Sequence, residues 1–144
     1  MAAHTYDQNN LFAKILRGEI PSLKVYEDEA TLAIMDVMPQ ADGHVLVLPK
    51  APSRNLLDAD PAVLAELMPR VQKIARAVKT ALGSEGLTIT QFNEPASGQT
   101  VFHLHFHILP RWSGVELRGH AREMAKPETL APIRDKIVAA LAAS

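Results

Sequence analysis

Residues His103-Leu104-His105-Phe106-His107-Ile108-Leu109-Pro110 carry three of the chain's six histidines at alternate positions. Side chains on a strand alternate between faces, so this spacing puts three imidazoles on one face and Leu104, Phe106 and Ile108 on the other. Helical spacing would send 103, 105 and 107 in different directions. The segment therefore predicts a strand that lies on the core with one face and is chemically active on the other.

Three uses of such a row compete. A patch of surface histidines needs no apolar counter-face in register. A metal site is open to His-x-His, but neighbouring residues on one strand face are ~7 Å apart at the backbone, too far for all three to meet at one ion without bending. The third use is an imidazole nucleophile flanked by imidazoles that hold phosphate oxygens. Imidazole, with an ordinary pKa of ~6.5, is largely neutral at pH 7 and can attack phosphorus without a strong base. The residues just upstream favour this use. Asn93-Glu94-Pro95-Ala96-Ser97-Gly98-Gln99-Thr100 is a polar, glycine-bearing loop of the kind that presents backbone N–H groups to anions. Thr100 adds a hydroxyl.

The run from Gly98 to Leu109 resembles the signature of the histidine triad superfamily, His-φ-His-φ-His-φ-φ with φ apolar, and within it the Hint-type nucleotide-binding branch. A second stretch carries the resemblance further: Asp36-x-x-Pro39-x-x-x-x-His44-x-Leu46-Val47-x-Pro49-Lys50. The similarity spans about residues 10–112, and 113–144 form a C-terminal extension of one domain covering 1–144.

The chain's 144 residues suit one domain with a real core, and 47% hydrophobic content suits a globular one. No apolar run approaches the ~18 residues of a membrane span, and the polar start lacks the pattern of a signal peptide. The expectation is a cytoplasmic protein. Without cysteine there is neither disulfide nor zinc-thiolate site. Fifteen basic and sixteen acidic residues give a net charge of −1, with no basic run. That argues against nucleic acid and for a small anion held locally by loop amides and imidazoles.

Elsewhere, Asn9 or Asn10 can cap a short helix over 11–17 that Gly18 ends. Residues 24–27 and 30–37 read as a hairpin about Asp28-Glu29, and 44–48 as a central strand. Asp60-Pro61 opens a long helix whose apolar stripe at 64, 67, 68, 71, 74, 75, 78 and 82 closes at Gly83, with Pro69 expected to kink it or split off its first turn. A strand over 87–92 delivers Asn93 to the loop. His120 falls in a predicted surface loop, and 127–142 has the spacing of an amphipathic helix that covers either its own sheet or a partner subunit. The fold class is α+β: about five antiparallel strands, a short N-terminal helix, one long central helix and a C-terminal helix.

The resemblance implies a site. Leu11, Phe12 and Ile15, otherwise core residues, would wall a base pocket with Ile34. Asp36, otherwise a strand-end turn carboxylate, would accept hydrogen bonds from ribose hydroxyls. His44, otherwise an ordinary strand-end histidine, would be a fourth histidine near the phosphate. Asn93, Gly98, Gln99 and Thr100 would form the phosphate loop. His105 would attack the α-phosphorus, His107 with Gln99 and Thr100 would hold phosphate oxygens, and His103 would orient its neighbours. Zinc-bearing relatives carry a Cys-x-x-Cys pair and a further histidine where this chain has Asn10, Ala13 and Pro52. No metal and no cofactor are therefore expected. The implied substrate is a purine nucleoside 5′-phosphoramidate and the implied assembly a homodimer. A dinucleoside polyphosphate hydrolase of the Fhit type and a non-catalytic nucleotide-binding module remain alternatives.

Overall fold

The computed structural model describes residues 6–119 and 124–144. His120, expected in a surface loop, lies outside the described residues. A five-stranded sheet organises the chain: β1 (Lys24–Glu27), β2 (Thr31–Met35), β3 (Val45–Pro49), β4 (Gly86–Thr90) and β5 (Phe106–Arg111). The strands lie in the order β1-β2-β3-β5-β4. Every neighbouring pair is antiparallel, so the α+β expectation holds. Helix α1 (Leu11–Leu16) precedes the sheet, α2 (Pro61–Leu82) joins β3 to β4, and α3 (Pro127–Ala143) follows β5.

Local chemistry sets the helix ends. Asn10 accepts from the Ala13 N–H at 2.9 Å and so caps α1, a contact of about 1 kcal/mol. Asp60 caps α2 through the Ala62 N–H, and Gly83 closes it in the left-handed conformation. Helix α2 runs through Pro69 without splitting off its first turn. Pro69 and Ala65, whose carbonyl loses its donor, are both exposed, so water can take the freed oxygen.

Two apolar clusters sandwich the sheet. The larger joins Leu67, Val71, Ile74 and Val78 of α2, Leu130 and Ile137 of α3, and Val45, Val47, Leu104 and Ile108. Each large side chain buried there contributes about 1.5–3 kcal/mol. Met68, expected in the stripe, is 43% exposed, and Ala77 is buried in its place. Helix α3 packs on α2 and β1 of its own chain. The smaller cluster lies on the opposite face: Phe12 from α1 with Leu32, Ile34, Leu46 and Leu48. The three histidines sit on this second face.

The histidine run differs from expectation. Only His107 lies within β5. The ladder with β3 ends at Val47 opposite Phe106, and one residue earlier the chain turns aside. There the Leu104 N–H donates to the Ser53 carbonyl, and the free carbonyl of Pro49 accepts from the His103 ring. An imidazole and a loop carbonyl have replaced the ladder. Alternation nonetheless persists, since Leu104 and Ile108 are buried in the larger cluster.

Candidate active site

The loop before the histidines is splinted by residues 53–56. The Ser53 carbonyl accepts from the Leu104 N–H, and the Arg54 carbonyl accepts from Gln99 Nε2. Asn55 Nδ2 donates to Glu94 and to Gln99. The Leu56 N–H donates to Asn93 Oδ1. Gln99, expected on the phosphate, is spent here: Oε1 accepts from Asn55 and from the Glu94 N–H, while Nε2 donates to the Arg54 and Val101 carbonyls. Those four bonds exhaust a glutamine side chain. Gln99 is thus a brace for the loop. Gly98 (φ +108°) and Thr100 remain exposed on it.

Two hydrogen-bond chains set the protons of the imidazoles. A carbonyl oxygen only accepts, so His103, 2.7 Å from the Pro49 carbonyl, carries its proton on Nε2. Its Nδ1 then accepts from the Tyr6 hydroxyl at 2.5 Å. By the same rule His105 carries its proton on Nδ1, which donates to the His103 carbonyl at 2.6 Å. The lone pair of His105 is therefore on Nε2. Phe12 stands edge-on to this ring, with centroids 4.8 Å apart.

The second chain runs from an N–H. The Gln40 N–H donates to His44 Nδ1 at 3.1 Å, so His44 is protonated on Nε2. That nitrogen lies 2.9 Å from His107 Nδ1 and 3.4 Å from Asp36 Oδ2. His107 accepts on Nδ1 and so carries its proton on Nε2. Gly43 makes the approach to His44 possible. At φ +86° a Cβ there would lie 2.9 Å from Leu82 and 3.2 Å from Pro110, so the turn has room only for glycine.

Burial dominates the titration of these rings. It pushes His103, His105 and His107 down to about 4, against smaller opposing effects from the Pro49 and His103 carbonyls and from Asp36. His44 is lowered by burial as well, partly offset by Asp36. All four are neutral at pH 7, so the Asp36–His44 contact is a hydrogen-bonding approach and not an ion pair. Asp36, His44 and His107 offer ligand atoms within 4.8 Å of one another. A cation there would have to replace the His44–His107 hydrogen bond.

The structure brings His103, His105, His107, His44, Asp36, Phe12 and Ile34 to one face. Ile34 is buried beside Phe12, Ile15 packs at the edge of that cluster, and Leu11 is 42% exposed. Asp36 also accepts from the Met38 N–H through Oδ1. Asn93 is tied to Gln91 and Leu56. Tyr6, Arg54, Asn55 and Glu94 escaped the sequence reading. Tyr6 lies in a polar leader without a pattern, and the other three act across some forty residues of chain.

Known proteins resemble this chain in sequence and in fold. Arabidopsis thaliana adenylylsulfatase HINT3 is 38% identical over 128 residues, 85% of this chain, which spans 65% of that protein's length. The Bacillus subtilis protein hit is 39% identical over 142 residues, covering 95% of this chain and 97% of the relative. A solved Hit-like protein from Bartonella henselae is 55% identical, with a TM-score of 0.89 over 94% of this chain and 99% of that one. No described helix is long and apolar enough to cross a membrane. The family model described as HIT domain matches residues 17–114, and with the triad at 103, 105 and 107 the chain belongs to the histidine triad (HIT) superfamily of nucleotide-binding hydrolases and transferases.

Proposed function

We propose that this protein cleaves purine nucleoside 5′-phosphoramidates at the α-phosphorus through a nucleotidyl-histidine intermediate on His105. The observation that carries the reading is the 2.6 Å bond from His105 Nδ1 to the His103 carbonyl. It leaves a neutral Nε2 lone pair, and the carbonyl stabilises the imidazolium that forms on attack. As the Nε2–phosphorus bond forms, the phosphorus–nitrogen bond to the amine breaks. The arriving phosphate anion raises the pKa of His107, which takes up a proton from solvent as substrate binds and gives one to the departing amine as the phosphorus–nitrogen bond breaks. A water next attacks phosphorus, returns a proton to His107, and releases the nucleoside monophosphate and a free His105.

Around this step, Asp36 would meet the ribose hydroxyls, while Leu11, Ile15 and Ile34 would flank the base. Gly98 and Thr100 would face phosphate oxygens, with Asn93 at the base of the loop. The protein would act as a homodimer, which sedimentation can check.

The direct test quenches the protein at alkaline pH with adenosine 5′-phosphoramidate labelled at phosphorus and maps the adduct. Label on residue 105 is the expected result. Full turnover with label elsewhere overturns the mechanism. The name of the Arabidopsis relative, adenylylsulfatase, supports a second leaving group, sulfate, so adenylyl sulfate belongs in the same assay. Faster turnover of diadenosine polyphosphates would favour the Fhit-type alternative. Tight binding of AMP without any adduct would favour a binding module.

A further inference from the structure

Among the described residues, Glu94 is the one non-glycine residue with positive φ. Its φ of 74° and ψ of 158° place it in a region that essentially only glycine occupies. A glycine would adopt this backbone without steric cost, but it would lack the carboxylate, and that carboxylate is fully engaged. Oε2 accepts from Arg54 Nε at 2.7 Å and from Asn55 Nδ2 at 2.6 Å, and Oε1 accepts from Arg54 Nη2 at 2.9 Å. The guanidinium also lies 4.2 Å from the centre of the Phe102 ring. The backbone of Glu94 is engaged as well: its N–H donates to Gln99 Oε1, and its carbonyl accepts from the Ser97 and Gln99 N–H groups.

We propose that Glu94 and Arg54 are a positioning pair for the nucleophile, an inference that rests on the reading of His105 given above. The link is one peptide group. The carbonyl of the His103–Leu104 peptide accepts from His105 Nδ1, and the N–H of the same peptide donates to Ser53, next to Arg54. The ion pair holds residues 53–56 against the loop, and Ser53 holds the peptide that aims His105. Backbone strain at 94 is thus tolerated where the bidentate contact fixes reacting geometry.

Glu94→Gly separates the two contributions, because it relieves the backbone while removing the clamp. With adenosine phosphoramidate as substrate, kcat should fall about tenfold with KM changed less than about threefold. The thermal midpoint should stay within about 3 °C of the parent, since lost contacts and relieved strain offset. A purely structural role would move the midpoint and leave kcat of the folded protein alone. Parental kcat in the variant overturns the proposal. If Glu94→Gly does not fold, Arg54→Met, which leaves the backbone at 94 intact, carries the test with the same kcat threshold. If the parent turns over no phosphoramidate, the functional reading fails separately, and the titration of the His105 ring followed by NMR becomes the readout. A His105 titration displaced from that of the parent in either variant then supports the clamp, and an unchanged one overturns it.

Discussion

His105 and His107 are two residues apart on one face, with ring centroids 5.0 Å apart, yet they are wired in opposite senses. The His103–His105 pair leans on carbonyls, at Pro49 and at residue 103 itself. The His44–His107 pair hangs from a backbone N–H, at Gln40. One pair therefore ends in a lone pair on Nε2 and the other in a proton on Nε2. Burial makes both neutral, so charge does not distinguish them; the backbone group at the far end of each chain does. Two identical side chains become an electron donor and a hydrogen-bond donor because a carbonyl and an amide were placed behind them.

If that polarity is what matters, removing the lone-pair end should hurt most. His105→Ala should lose at least ~10³-fold in turnover, ~4 kcal/mol of transition-state stabilisation, while AMP binding measured by calorimetry largely survives. Full activity in this variant would end the assignment of His105 as nucleophile. His107→Asn should cost less, on the order of 10²-fold, and should still accumulate label on residue 105 in a quench. Loss of the adduct in that variant would mean that the two rings do not have separate duties.

The comparison also predicts a displaced pH profile. A solvated imidazole of pKa ~6.5 would be about 3% neutral at pH 5. With His105 at about 4, most of the population keeps its lone pair there. The acid limb of kcat/KM should fall near pH 4–5 and not near 6.5, which a buffer series measures directly. Stability follows the same sign. The folded pKa values are depressed, so the native state binds fewer protons than the unfolded chain between about 4 and 6.5. The midpoint of thermal unfolding should be highest above pH 6.5 and decline as pH drops toward 4, and it should go on falling below as the depressed carboxylates of Glu27 and Asp28 take up protons. A flat midpoint over that interval would show that the rings are not as dry as their burial implies.

Some of this was readable from residue order and some was not, for physical reasons. Alternation at 103–108 correctly separated the core-facing Leu104 and Ile108 from the imidazoles, because facing survives even where the ladder stops. Asp60-Pro61 and Gly83 marked the ends of α2 because capping is local chemistry. The start of β5 was not legible: a side chain, His103, took the carbonyl that a strand would have paired. Nor could spacing assign protons, which depend on Pro49 and Gln40 in other elements. Sequence alone points Gln99 at the phosphate, because a glutamine in a polar loop says nothing about the Asn55 and Arg54 groups that saturate it. Glu94 hid its backbone geometry, since positive φ is usually signalled by glycine or asparagine.

Tyr6 offers the smallest and most discriminating test. Its hydroxyl donates to Nδ1 of the fully buried His103, so Tyr6→Phe leaves a buried ring nitrogen without a donor. An unsatisfied buried acceptor costs about 1–3 kcal/mol, which calorimetric unfolding would read as a lower midpoint. Turnover should change little, about two- to fivefold, because the His103 ring keeps its bond to Pro49 and the His103 carbonyl still fixes the His105 tautomer. The lone-pair end of the site depends on the carbonyl of residue 103 more than on its imidazole. If Tyr6→Phe lowered kcat as far as His107→Asn does, orientation would have to travel through the ring of His103, and the backbone could no longer be credited with setting the two imidazoles apart.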